Sequence, residues 1–307
     1  MLDVRRLRVL REVAARGSFS AAAEALSFTQ SAVSQQIAAL ERESGAKLIE
    51  RFPRGIRLTD AGRALVDHAD AILARLDDAE EELAAIAGLR GGRLRMATFQ
   101  SAGATLVPRA VGEFHRRHPG VDVTVKQEDC GSERLMLAGE VDLAIAMDFE
   151  DAPLTDPQLE LVHLLDDPYD LVLPRDHELA GRAKVDVADL ADERWVVTTV
   201  GSGCREGVVN SLRSAGFAPR LSIESDENSQ MQAFVAAGLG VALFPRLALS
   251  TVHPGVVVKP TAERTLTRRV FAATVAGTYR SPATEAMIEI LRDAAVEFAE
   301  TSRLAVA

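Results

Sequence analysis

The sequence predicts an α/β protein in three parts: a small helical head carrying a wing, a long linker helix, and a body of two α/β lobes. Three observations predict it. Residues 19–62 read as a short Ala-rich helix, a turn, a polar-faced helix and an Arg-studded hairpin. From Thr59 an apolar residue recurs at alternating spacings of four and three for three heptads. From Arg93 onward strand and helix patterns alternate, the mark of open parallel sheets.

In the head, Ser20 is expected to cap a helix through Ala21, Ala22, Ala23 and Ala25 to Leu26. The small Ala side chains let a second helix approach closely. Ser27 and Phe28 form the turn, and Thr29 is expected to cap the next helix by accepting a backbone N–H. Val33, Ile37 and Leu40 fall at i, i+4 and i+7 and make one apolar stripe. Gln30, Ser31, Ser34, Gln35 and Arg42 fall off it; their amides and hydroxyls suit base edges and phosphates, Gln being a bidentate partner for adenine. Ser44-Gly45 ends the helix. Leu48-Ile49 and Ile56-Arg57-Leu58 are expected strands, with Phe52-Pro53-Arg54-Gly55 as the turn between them. Arg51, Arg54 and Arg57 crowd that tip and are candidate phosphate or minor-groove contacts. A Gln/Ser helix face alone is usually only a solvated surface. Two tight helices, a turn and a hairpin in this order make a winged helix-turn-helix, which puts its second helix into the DNA major groove.

Thr59 is expected to cap a helix that runs without proline to Ala87, ending at Gly88. Leu65, Ala69, Ile72, Leu76, Ala79, Leu83 and Ile86 are spaced 4, 3, 4, 3, 4, 3. A sustained 3.5-residue repeat favours pairing with a second helix over packing on the same domain, so Leu65, Ile72, Leu76 and Leu83 are the candidate dimer contacts. Such a helix is about 43 Å long. A dimer also places two recognition helices on one duplex, as a palindromic operator requires.

The body begins after Leu89-Arg90-Gly91-Gly92. Expected elements are strand 93–98, helix 102–118, strand 121–127, helix 133–138 and strand 141–147. A second set starts near Leu161: strand 170–173, helix 187–190, strand 195–199, helix 207–215, strand 221–224, helix 229–237 and strand 241–244. Strand 268–276 and a final amphipathic helix 281–299 complete it. Ligands of open α/β sheets sit beyond the carboxyl ends of the strands. Gln100 and Ser101 open one helix there, and Thr199, Ser202, Gly203 and Cys204 lead into another. Helix starts present free N–H groups, so the pair favours a small ligand with a carboxylate or similar group. Asp129 and Cys130 follow the second strand, and Met147 ends the third. The blander role for Ser101 and Ser202 is to cap their helices.

Several stretches resemble the LysR-type transcriptional regulators. In the head these are AAAEAL, QSAVSQQIAALE, G-x-x-L-x-x-R and R-x-x-x-LTDAG; in the body, LVPRAVGEFHRRHPGVDVTV, LMLAGEVDLAIA, DLVLPRDHEL and AFVAAGLGVALFP. The resemblance covers nearly the whole chain. Ile49 stands where the family usually has Phe, and Gln35 where many members have Arg. The resemblance implies a Rossmann-like, two-lobed effector domain similar to periplasmic binding proteins, and a linker helix that pairs with its copy. It implies a DNA-binding domain at 1–58, a linker at 59–90 and an effector domain at 91–307. Lobe I is then 91–164 with 266–307, and lobe II is 165–265. It places Ser101 on the effector position of lobe I, with Asp129 and residues 202–204 on the opposite walls.

Composition agrees. The net charge is −10, yet residues 1–60 hold 10 Lys and Arg against 7 Asp and Glu, and the remainder holds 25 against 38. A mildly basic head on an acidic body suits sequence-selective binding. No secretory leader is expected from MLDVRRLRVLREV, and the longest apolar run, about 12 residues, is too short to span a bilayer. A cytoplasmic location is therefore expected. Two cysteines make no disulfide framework. The run Gly201 to Gly207 misses the dinucleotide fingerprint by one position, no Walker A, G-x-S-x-G, H-E-x-x-H or C-x-x-C occurs, and His115 and His118 have no third ligand. The expectation is a non-enzymatic transcription regulator without cofactor or metal. Its expected partners are an operator duplex, a small effector, a second or further copies as homodimer or homotetramer, and RNA polymerase, with no membrane. The alternatives are a redox sensor using Cys130 and Cys204 and a ligand-independent DNA-bridging protein.

Overall fold

The computed structural model describes residues 1–52, 55–86, 92–129, 132–263 and 266–306. It divides into two compact units, Met1–Leu89 with Leu137–Glu140, and Arg90–Met136 with Val141–Ala307.

The first unit opens with α1 (Val4–Arg16), α2 (Phe19–Ala25) and α3 (Gln30–Ser44). Asp3 caps α1 by accepting the Arg5 N–H. Ser18, not Ser20, caps α2: its Oγ accepts the Ala21 N–H at 3.1 Å, and the helix begins at Phe19. Starting there turns Phe19, Ala22 and Ala23 into the core and Ser20 outward. Thr29 caps α3 through the Ala32 N–H at 3.2 Å, and Gly45 ends it at φ +68°, a conformation that costs a side-chain-bearing residue strain. Val33, Ile37 and Leu40 are buried against Leu7, Leu10 and Val13 of α1. The wing is a hairpin, β1 (Ile49–Phe52) with β2 (Gly55–Leu58), in register from Ile49 opposite Leu58 to Phe52 opposite Gly55. Phe52 and Gly55 thus belong to the strands and Leu48 lies outside them; Pro53 and Arg54 lie outside the described residues.

α4 (Asp60–Ile86) starts where Thr59 Oγ1 accepts the Gly62 N–H at 2.9 Å. The expected helix end at Ala87-Gly88 lies outside the described residues. A Cβ on Gly62 would stand 2.1 Å from the Leu48 carbonyl oxygen, so this position admits only glycine for α4 to meet the wing. The apolar repeat has two destinations. Ala69 is buried in the head core with Leu65 and Val66 packed beside it. Ile72, Leu76 and Leu83 are 41 %, 38 % and 65 % exposed.

The second unit is built on a seven-stranded sheet. Its strands are β3 (Gly92–Thr98), β4 (Val121–Gln127), β5 (Leu143–Phe149), β6 (Leu159–Pro174), β9 (Ala242–Pro245), β10 (Val256–Lys259) and β11 (Thr267–Val275). β7 (Arg194–Val197) and β8 (Arg220–Glu224) pair separately. The helices are α5 (Gln100–Gly103), α6 (Leu106–Arg117), α7 (Ser132–Leu137), α8 (Gly203–Ser214), α9 (Asn228–Ala236) and α10 (Pro282–Val306). The order β10-β6-β11-β5-β3-β4 has β9 on β6. β3 is parallel to β4 and β5, but β11 runs antiparallel to β5 and β6, and β9 and β10 antiparallel to β6. The sheet is therefore mixed, not parallel throughout. β6 is one 16-residue strand where the sequence suggests only 170–173. Its first part pairs with β11 and its last part with β9 and β10, so a single strand carries the chain from one lobe to the other.

In lobe I, α6 and α10 cover the sheet through Leu106, Ala110, Phe114, Met287 and Leu291. In lobe II, Trp195, Leu212, Leu171 and Leu243 form the core. The expected helix 102–118 breaks in two at Ala104-Thr105, where Thr105 Oγ1 donates to the Ser101 carbonyl at 2.7 Å. α8 begins four residues before the expected Gly207, β10 has no counterpart among the expected elements, and residues 187–190 form a 3-10 turn.

Candidate functional sites

On the head, α3 turns its polar side outward. Thr29, Gln30, Ser31 and Gln35 are exposed and Ser34 is half-buried. Ser34 is not independent of the wing: its Oγ accepts from Nη2 of Arg51 at 2.7 Å, and the Arg51 guanidinium lies 4.5 Å over the Phe19 ring. Arg57 donates to Glu50 at 2.7 Å and stacks on Phe52, so part of its charge is balanced within the wing. At the other end of α3, Glu41 ties the helix to the wing. Burial opposes its charge, but the Leu48 N–H at 3.0 Å, the Lys47 ammonium and the Ile49 N–H overcome it and hold the carboxyl below its usual range.

In the second unit a cavity of about 80 Å³ opens between the lobes. Gln100, Ser101, Asp129, Met147, Ser202 and Cys204 line it, so the structure brings together six of the nine residues expected there. Thr199 and Gly203 lie off its wall, and Cys130 lies outside the described residues. Neither serine caps its helix. Ser101 sits inside α5, and Ser202 occupies the cap position of α8 without a side-chain bond. A carboxylate does that work at the start of α5, and a second one anchors the loop before α8. Asp129 accepts the Gln100 N–H at 2.7 Å, and Asp226 accepts both the Thr199 N–H at 3.0 Å and the Thr199 hydroxyl at 2.6 Å. Across the mouth, Gln100 of lobe I donates to Glu227 of lobe II at 2.6 Å and accepts the Asn228 N–H at 3.3 Å.

The floor contains residues that sequence reasoning missed. Arg268 is 2 % exposed and faces Asp167, 1 % exposed, across the β11–β6 register. Nε donates to Asp167 at 3.0 Å, and Nη2 donates to Asp167 at 2.8 Å and to Ser101 Oγ at 2.6 Å. Burial works against the guanidinium charge, and the Asp167 carboxylate overcomes it, so Arg268 stays protonated. Tyr169 is 3 % exposed beside Cys204; burial, then the neighbouring sulfur, push its phenol well above the ordinary range and keep it a hydrogen-bond donor. The available signal was local: Arg268 belongs to an Arg-Arg pair and Asp167 to an Asp-Asp pair, each beside an apolar stretch.

Two family models match. The bacterial regulatory helix-turn-helix protein model of the lysR family covers residues 4–63, and the LysR substrate binding domain model covers 87–296. The chain belongs to the LysR family. It is a LysR-type transcriptional regulator, with a helix-turn-helix DNA-binding head and an effector-binding domain. The transcriptional regulator ShiR of Corynebacterium glutamicum is 32 % identical over 296 residues, 95 % of this chain and 99 % of the relative. A full-length, singly substituted OxyR from Pseudomonas aeruginosa superposes with a TM-score of 0.75 at 25 % identity, over 95 % of this chain and 98 % of that one. The regulatory domain of Synechocystis CcmR, solved in complex with 2-PG, matches with a TM-score of 0.59 at 28 % identity, over 66 % of this chain and 96 % of that one. These relatives are transcription regulators, and LysR-family regulators bind DNA and small effectors as oligomers. Among the described residues no helix is long and apolar enough to cross a membrane.

Proposed function

We propose that this regulator reads an operator duplex with α3 and responds to a small effector held between its lobes. The observation that carries the reading is the cavity of about 80 Å³ walled by both lobes, which favours ligand control over ligand-independent bridging. In it, residues 1–58 bind DNA, 59–90 link and pair, and 91–164 with 266–307 close on 165–265. Gln30, Ser31 and Gln35 reach base edges. Arg51 and Arg57 contact phosphates, with Ser34 bonded to Arg51. Exposed Ile72, Leu76 and Leu83 pair with a second copy, giving a homodimer or homotetramer. The protein acts in the cytoplasm, contacts RNA polymerase and catalyses no reaction.

The experiment is in two stages. DNA fragments selected by the full-length protein from a random pool identify the operator, and metabolites are then screened for a shift in operator affinity. A selected palindrome whose affinity changes with one small molecule supports the reading. A protein that selects no sequence, or whose affinity no small molecule moves, contradicts it.

A further inference from the structure

The turn between α2 and α3 carries an apolar side chain that the fold does not use. Phe28 is 53 % exposed, and among the described residues its ring joins no core and stacks on no other ring or guanidinium. The head's other exposed aromatic residue, Phe52, differs, because the Arg57 guanidinium lies 5.2 Å from its ring centre. The backbone that presents Phe28 is fixed. Ser27 stands at φ +54°, the one side-chain-bearing residue with positive φ among the described residues, a conformation that strains any residue but glycine. The Ser27 N–H donates to the Glu24 carbonyl at 3.2 Å, and the Phe28 N–H to the Ala23 carbonyl at 2.8 Å. Phe28 therefore leaves a braced turn directly ahead of Thr29, the cap of α3.

We propose that Phe28 is a specificity-determining residue whose ring covers the C5-methyl group of one thymine in each operator half-site. The proposal rests on the reading of α3 as the recognition helix and adds a base to those that its amides and hydroxyls reach. The N-terminal residues of a recognition helix are the ones that meet base edges, and Phe28 stands two positions before Gln30, the first residue of α3. Thymine is the base that presents a methyl group in the major groove, and a phenyl ring is among the side chains that match it. Glu24, Ser27, Thr29, Gln30 and Ser31, exposed beside Phe28 in the chain, are polar. A protein partner would need a contiguous apolar patch, which one ring among these side chains does not make. One methyl on a base edge is a target of matching size, and it lies in the groove that Gln30 and Ser31 enter in this reading.

The test removes the methyl and keeps the base pair. The full-length protein first selects its operator from a random pool. Each thymine of that operator is then exchanged singly for deoxyuridine, which pairs alike and lacks only the methyl. At one thymine per half-site the unaltered protein is expected to lose about fourfold in affinity, the worth of one buried carbon group. In Phe28→Ala the same exchange is expected to change nothing. Phe28→Leu, which keeps apolar bulk at the turn, is expected to retain part of the effect. Affinity of each variant for random duplex at the same salt, set mainly by phosphate contacts, controls for folding, and Phe28→Leu serves if Phe28→Ala fails that control. A scan without a sensitive thymine overturns the proposal, and so does a sensitive thymine whose loss is undiminished in the variants. Selection keeps the two readings apart: a protein that selects no sequence removes operator reading itself, whereas a selected operator indifferent to deoxyuridine removes the Phe28 contact alone.

Discussion

The Ser101 hydroxyl accepts a 2.6 Å hydrogen bond from Arg268, a residue 167 positions away, and is not the helix cap its sequence position suggests. The bond ties the first helix of lobe I to β11, the strand paired with β5 and β6. Ser101→Ala removes one acceptor from a guanidinium that keeps Asp167, so the expected loss of stability is about 1–3 kcal/mol. Arg268→Met strands the Asp167 carboxylate in the interior, and about 3–5 kcal/mol is expected. Denaturant melts of both variants test this. Equal losses would show that Asp167 is not what Arg268 chiefly serves.

The Gly62 approach to Leu48 gives a second prediction. Gly62→Ala forces the α4 start away from the wing, and overpacking of this kind costs about 1–3 kcal/mol. Thermal melts of the full chain, followed by proteolysis, should show the head loosening first. An unchanged melt contradicts the contact.

Glu41 makes head stability depend on pH. Its folded pKa lies below the ordinary value of 4.5, so its contribution is fully present above that value. It is lost as the pH falls through the lower, folded pKa. Glu41→Gln should therefore lower the stability at neutral pH and flatten the acid limb. Parallel pH profiles for the two proteins would remove Glu41 from the account.

How much of this could be read from the chain follows from range. The helix-turn-helix rests on contacts a few residues apart: the Thr29 cap, the stripe of Val33, Ile37 and Leu40, and Gly45 all stand where local rules put them. Ser18 and Ser20 flank Phe19, and only its burial decides between them. β6 is hidden in the sequence because Asp166, Asp167 and Pro168 interrupt its apolar pattern. The mixed sheet is hidden because pairing of β11 with β6 and β5 joins residues about a hundred positions apart, which no local pattern records. The cavity's walls follow from strand ends. Its floor, Arg268 and Tyr169, does not, because Arg268 meets Asp167 and Ser101 from elements far off in the chain.

The exposed side of α4 supplies a prediction about assembly. Leu76→Asp with Leu83→Asp places like charges where Ile72, Leu76 and Leu83 would meet a second copy. Monomers by light scattering, with the head still folded and operator affinity lost, are expected. A dimer that survives the double substitution would place the pairing surface elsewhere.

The central claim is that α3 reads sequence, and Gln35 tests it most directly. Titrations compare the unaltered protein and Gln35→Ala on the selected operator and on random duplex at one salt concentration. The account predicts a loss of about 1–3 kcal/mol on the operator and little change on random DNA. Equal losses on both duplexes would contradict base readout by this helix.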